Sequence, residues 1–208
     1  VTLLYLRDSA SVMLQAVADA HLSINFLDRN RQYKNPLTRI VNVAFDLFER
    51  LSLHAGETVL AKINHNCDKY PIKENKGVCL QHGTLHKVPL TFAGAVPASS
   101  LSDSQMNEDG LYFLTGEAMG FSEDREWQAF DNERDLLYAL TAEVGELHGA
   151  LCWSKGHITA YLSSVDEVNR VAGEIADVFI YTLKLARVVG LLGHLIQHCP
   201  AIHKNNNK

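Results

Sequence analysis

The sequence predicts an all-α protein, a helical bundle made of two unequal repeats, and three observations carry that expectation. Apolar residues recur at helical spacing through most segments, and no strand-like alternation holds anywhere. Two acidic pairs, Glu143-Val-Gly-Glu146 and Glu174-Ile-Ala-Asp177, sit inside two of the periodic segments. The chain also aligns with itself: residues 12–26 fall on 137–151 and residues 39–53 on 177–191, with apolar character mostly matched and few identities.

In chain order, residues 9–27 read as a helix on Val12, Ala16, Ala20, Leu22 and Phe26. Residues 28–35 read as a polar turn, and Pro36 suits the first turn of the next helix, which carries Ile40, Val43, Ala44, Leu47 and Leu51. A third helix near 56–69 holds Val59, Leu60 and Ile63 until Pro71 stops it. Periodicity then lapses to about residue 115, where glycine, proline and serine predict an ordered loop and a linker. It resumes near Gly116 with one helix carrying Phe121, Arg125, Trp127 and Phe130; Asp131 or Asn132 would cap the next, which runs to Trp153. After a loop, Ser164 caps a long helix ending near Gly190, and a short one reaches Cys199. The units are therefore residues 1–86, a linker 87–115, and residues 116–208.

The 208 residues are 47% apolar and 21% charged with a net charge of −5, which leaves room for a sizeable core. The absence of a Lys/Arg block argues against a nucleic-acid or polybasic membrane surface. No apolar run is long enough to span a bilayer, so no membrane is expected, and a cytoplasmic or nuclear setting is. Cys67, Cys79, Cys152 and Cys199 form no Cys-x-x-Cys pair and read as reduced thiols. His65, Cys67, Cys79, His82 and His86 include a zinc-compatible spacing, but without a paired-cysteine knuckle they read as surface histidines and partly buried thiols.

The acidic pairs carry the chemistry. Carboxylates at i and i+3 share one helix face. Glu143 and Glu146 lie on the margin of the stripe Leu136, Leu140, Val144, Leu147 and Leu151, and Glu174, Asp177 and Tyr181 lie beside Val171, Val178, Leu185 and Val189. One such pair is commonly a solvated face. Two margin-placed pairs on neighbouring helices would converge, and at about 5 Å and an effective dielectric of about 20 each like-charge contact costs about 3 kcal/mol. A divalent cation relieves that cost, and oxygen-only ligands select Mg²⁺ or Mn²⁺. Neither pair has the Glu-x-x-His ligands of a di-iron bundle.

In the self-alignment these acids fall on Ala18, His21, Pro36 and Arg39, so the first repeat has no metal site. It owns instead Lys62, Asn66, Lys69 and Tyr70, whose second-repeat counterparts near Pro200 are absent. Lysines and an amide beside an acidic metal cluster suit a phosphate-bearing ligand. Taken alone, the run is equally a solvated helix end with lysines at its negative terminus.

Together these residues resemble the all-α NTP pyrophosphohydrolases of the MazG and dCTP pyrophosphatase type. That family's Glu-x-x-Glu and Glu-x-x-Asp match Glu143/Glu146 and Glu174/Asp177. Arg125-Glu-Trp127, Phe130, Trp153 and Asp177-Val-Phe-Ile-Tyr181 resemble the dCTP pyrophosphatase branch, and Lys62, Asn66, Lys69, Tyr70 and Pro71 resemble its closing motif, displaced into the first half. Two histidines of the family pattern are replaced here by Ala118 and Asp131, which leaves the preferred base open.

The resemblance implies cleavage of a dNTP, dCTP or a modified pyrimidine nucleotide, to dNMP and pyrophosphate, as nucleotide-pool house-cleaning. It implies Mg²⁺, with Mn²⁺ as substitute, on Glu143, Glu146, Glu174 and Asp177, and Glu143 or Glu146 as general base. Lys62, Asn66 and Lys69 would grip phosphates beside Tyr70, and Trp127, Trp153 and Tyr181 would contact base or sugar. Arg125 and Arg134 would pair with neighbouring acids. The two repeats would form an intrachain pseudo-dimer with one composite site, and such chains would associate further into a homo-oligomer, for which a dimer of pseudo-dimers is one arrangement. The rivals are a dUTP-directed all-α pyrophosphatase and a helical module that binds nucleotide without catalysis.

Overall fold

The computed structural model describes residues 2–23, 29–76, 108–152, 162 and 164–199. Their regular structure is helical: α1 (Leu3–Ser23), α2 (Arg29–Arg50), α3 (Ala55–Lys69), α4 (Ile72–Asn75), α5 (Glu108–Asp124), α6 (Glu133–Cys152), α7 (Val165–Val188) and α8 (Leu192–His198). None of these helices is long and apolar enough to cross a membrane.

Four helices close a ring in which α1 packs on α2 and α6, and α7 packs on α6 and α2. Both halves of the chain supply its apolar centre: Leu6, Met13, Ile40 and Phe48 meet Leu140, Leu147, Val178 and Phe179 in one buried cluster. The Phe179 ring stands edge-on to Phe45 at 5.3 Å and to Phe48 at 6.3 Å, a favoured aromatic geometry. Outside the ring, α3 and α5 pack on each other and on α7, while α8 packs on α2 and α7.

Helix α7 is the axis of the arrangement. From Val171 to Ala186 every residue is buried except Glu174 and Tyr181, the signature of a helix covered on all sides. Its ends are set locally. Ser164 Oγ accepts the Glu167 amide at 3.1 Å, and Asp166 and Glu167 complement the positive end of the dipole. At the other end Gly190 adopts φ +74°, where a side chain would be strained. That turn lets the Leu191 amide reach Ala186 O at 2.7 Å and the Gly190 amide reach Arg187 O at 3.3 Å, a Schellman stop. Helix α6 opens on a reciprocal cap: the Asp135 amide donates to Asn132 Oδ1 at 3.0 Å, and Asn132 Nδ2 donates to Asp135 Oδ2 at 2.7 Å. Arg7 from α1 closes it, donating through Nη2 to Leu151 O at 3.0 Å.

Several boundaries differ from the sequence expectation. Helix α1 starts at Leu3 rather than residue 9 because Leu3 and Leu6 are buried ring contacts. The expected polar turn at 28–35 lies largely within α2, which passes through Pro36. An interior proline costs about 3 kcal/mol, and burial of Tyr33, in register with Leu37 and Ile40, offsets it. The Tyr33 hydroxyl also donates to Glu133 Oε1 at 3.0 Å. Helix α5 starts at Glu108, before Gly116, with Leu111, Leu114, Thr115 and Ala118 as its inner face. It ends at Asp124, so Arg125, Trp127 and Phe130 do not share a helix with Phe121: Glu126 adopts φ +56° and turns the chain. Most of the expected linker, and Cys79, His82, His86 and Trp153, lie outside the described residues.

Candidate metal centre

Three carboxylates from two helices converge. Glu143 on α6 and Glu174 and Asp177 on α7 each place an oxygen within 4.8 Å of the others. The α6–α7 contact brings them together, and because α7 is buried on all sides they meet in a confined space. Glu146, one turn beyond Glu143, is exposed and stands outside this triple, although its charge is felt by Glu143 and Glu174. Its position differs from the expectation of four converging ligands: α6 presents only Glu143 to the two acids of α7, and Glu146 stays in solvent, where a carboxylate is hydrated without cost.

The counter-charge comes from the first half of the chain. Lys62 on α3 reaches Asp177 Oδ2 with Nζ at 2.6 Å, and both side chains are nearly inaccessible, at 11% and 12%. Asn66, one turn along α3, donates to Asp177 Oδ1 at 3.5 Å, a long contact. Thus Asp177 is doubly engaged, whereas among the described residues neither Glu143 nor Glu174 accepts a hydrogen bond or forms an ion pair.

That imbalance sets the proton affinities. Burial first, then the charges of Asp177, Glu146 and Glu174, push the Glu143 carboxyl up to about 9. Burial first and then Asp177 push Glu174 up to about 7. Burial acts to lower Lys62, but Asp177, Glu174 and Glu143 together outweigh it and the net displacement is upward. One ammonium therefore faces three carboxyls that cannot all ionise beside one another. Confined oxygen donors with insufficient cationic partners fit a hard divalent ion, and Glu143, Glu174 and Asp177 are the residues that would hold it.

The remaining expected site residues surround this cluster less directly. Lys69 is half-buried with Nζ 5.0 Å from the centre of the Tyr70 ring. Tyr70 and Trp127 meet edge-to-face at 5.7 Å, and the Trp127 indole N–H donates to Asn75 O at 2.9 Å. The indole is thereby part of the α3–α5 joint, with Phe121 edge-on at 5.6 Å. Tyr181 lies one turn beyond Asp177 on α7, half-buried, with Lys184 Nζ 5.7 Å from its ring centre. His65 is half-buried and Cys67 exposed.

One group was not anticipated, and a second takes a different partner from the one expected. Lys184 Nζ pairs with Asp131 Oδ1 at 2.6 Å and donates to Ser122 Oγ at 2.7 Å, with side-chain exposures of 8% and 7% for the ion pair. Its spacing from Asp177, two turns along one face of α7, was the available signal. Arg125, expected to pair with an acid, instead donates to three backbone carbonyls: Tyr70 O at 2.7 Å, Phe121 O at 2.9 Å and Cys67 O at 3.4 Å. The reason is position, since it follows the α5 terminus directly and meets the terminus of α3. Arg134 does pair with a neighbouring acid, Asp135, at 3.5 Å and largely in solvent.

The first-repeat positions aligned with the acids hold no such cluster. Arg39, aligned with Asp177, pairs with Asp19 at 3.8 Å, and the ring of His21, aligned with Glu146, is hydrogen-bonded to Thr141 Oγ1 at 2.8 Å. Comparison with protein-family models, with curated proteins and with solved structures gives no match to the chain.

Proposed function

We propose that this chain is a Mg²⁺-dependent nucleoside triphosphate pyrophosphohydrolase that converts a dNTP, with dCTP or a modified pyrimidine nucleotide as first choice, to dNMP and pyrophosphate. The observation that carries the reading is the meeting of Glu143, Glu174 and Asp177 within 4.8 Å beside a lysine and an amide from the opposite half of the chain.

A divalent ion at these carboxylates would neutralise polyphosphate charge and make a bound water more acidic. The chain's own residues have separable tasks. Lys62 and Asn66, now on Asp177, would turn to phosphate oxygens, with Lys69 further along the same helix. Glu146, exposed beside the triple, is the carboxylate left to orient or deprotonate the attacking water. Water adds to the α-phosphorus, the α–β bridging bond breaks, and pyrophosphate leaves. Tyr181 offers a half-buried aromatic face one turn from Asp177 for base or sugar.

The pseudo-dimer reading has support in the packing, since α3 lies on α7 as α8 lies on α2. In it the first repeat lends the basic run and the second lends the acids, and association of such chains into a homo-oligomer belongs to the same proposal. The test is a pyrophosphate-release panel over canonical and modified dNTPs with Mg²⁺ and with Mn²⁺. Release of one pyrophosphate per dNMP is expected, and silence across the panel overturns the reading.

A further inference from the structure

We propose that Arg125 is a positioning residue that fixes the α3 basic run against the α7 acids, acting through backbone carbonyls and not on any ligand. This rests on the composite site proposed above. The Arg125 side chain is buried, with 2% of the residue exposed, yet among the described residues no carboxylate pairs with it. A buried guanidinium without a partner would be costly. Its charge is instead met by two helix termini.

Nε donates to Tyr70 O at 2.7 Å and Nη2 to Cys67 O at 3.4 Å, both at the carboxyl end of α3. Nη1 donates to Phe121 O at 2.9 Å in the last turn of α5. These ends carry the negative poles of their helices and the carbonyls that no later amide satisfies. The Phe121 ring lies 3.8 Å from the guanidinium carbon and closes the remaining face. One planar fork thus ties two helix ends together.

Lys62, Asn66 and Lys69 lie along the helix whose end is tied. The tie reaches the site because α3 and α5 both pack on α7, where Asp177 is the partner of Lys62 and Asn66. The Tyr70–Trp127 contact and the indole bond to Asn75 reinforce the same joint. Loosening the α3 terminus would shift the basic run relative to α7 while leaving Glu143, Glu174 and Asp177 on their own α6–α7 seam.

The experiment uses the full chain with Arg125→Ala and Arg125→Lys. Brief labelling of amines and thiols, read by mass spectrometry, should show Lys62 gaining reactivity by about tenfold or more. Cys199, buried where α8 meets α2 and hydrogen-bonded to Asn42, should stay protected. Arg125→Lys should resemble Arg125→Ala, since an ammonium cannot span the three carbonyls. Methylguanidinium, but not ammonium at equal ionic strength, should restore Lys62 protection in the alanine variant. In parallel, kcat/KM for pyrophosphate release should fall roughly 100-fold, as for a displacement of about 1 Å, without weaker binding of Mn²⁺ alone. Unchanged Lys62 labelling, or Lys62 and Cys199 opening together, overturns the proposal. A parent protein that releases no pyrophosphate defeats the enzymatic reading, while the labelling still decides the clamp.

Discussion

The Lys62 ammonium lies 2.6 Å from Asp177 Oδ2, inside a cluster that also holds Glu143 and Glu174. A cation from the first half of the chain therefore occupies part of the electrostatic space that a metal would use. A metal bound there would compete with the lysine for Asp177, and a polyphosphate would be a natural acceptor for the displaced ammonium.

Lys62→Met is accordingly expected to act in two directions. Affinity for Mn²⁺ alone should rise several-fold because a like charge is gone, while pyrophosphate release collapses. Without metal the variant should lose about 3 kcal/mol of stability, since Asp177 is left buried and unpaired, and saturating Mn²⁺ should restore much of it. Titration calorimetry and thermal melts read both effects. Weaker Mn²⁺ binding in a well-folded variant would contradict the competition.

The raised carboxyls predict an inverted pH profile for the metal-free protein. Relative to an ordinary 4.5, Glu143 is held at about 9 and Glu174 at about 7. The folded chain keeps protons that the unfolded chain releases, so this contribution is full below about 4.5 and is lost as pH rises through about 7 and about 9. Thermal melts from about pH 5 to about pH 9 should show this erosion, shallower in Glu143→Gln. With Mn²⁺ the trend should reverse, because binding requires the ligands to shed their protons. Identical slopes in parent and variant would remove Glu143 as the cause.

Glu143 and Glu146 should separate by experiment although their spacing made them equivalent. Glu143→Gln should weaken Mn²⁺ binding by about tenfold or more, the scale of losing even an outer-shell metal partner. Glu146→Gln should bind Mn²⁺ nearly as the parent does and lower kcat by roughly 100-fold or more, as for loss of a general base. Equal loss of metal binding in both would return Glu146 to the ligand set.

Lys184 and Asp131 give a control on stability. Removing either charge should cost about 3–5 kcal/mol, since the other remains buried without its partner. The double change Lys184→Met with Asp131→Leu should cost less than the single changes combined. A denaturation cycle over the four proteins measures the coupling, and strict additivity would dismiss it.

Much of this was legible before any coordinates. Helical periodicity fixed the all-α class, and the position of both acidic pairs on the margins of apolar stripes anticipated a meeting of acids between two packed helices, in which Glu143, Glu174 and Asp177 take part and Glu146 does not. Displaced motifs suggest only that the run at residues 62–70 lies near the acids; the ion pair between Lys62 and Asp177 is not legible, since no local rule brings α3 onto α7. Arg125 was misread for a similar reason: its partners are carbonyls at a remote helix end, and carbonyls carry no sequence identity. Pro36 misplaced the start of α2 because local stop signals cannot register what burial of Tyr33 contributes. Glycines at 116 and 120, with Tyr112 and Phe113 exposed, blurred the stripe of α5.

The near-complete enclosure of α7 also orders how the molecule should breathe. Amides from Ile175 to Leu183 can exchange with solvent only when several neighbouring helices part, so they should be among the last to take up deuterium. The last two turns of α3, with Asn64, Cys67 and Asp68 facing solvent, should exchange far sooner. An opening at the acids would then proceed by excursion of the lysine-bearing arm, with the acid-bearing rod left in place.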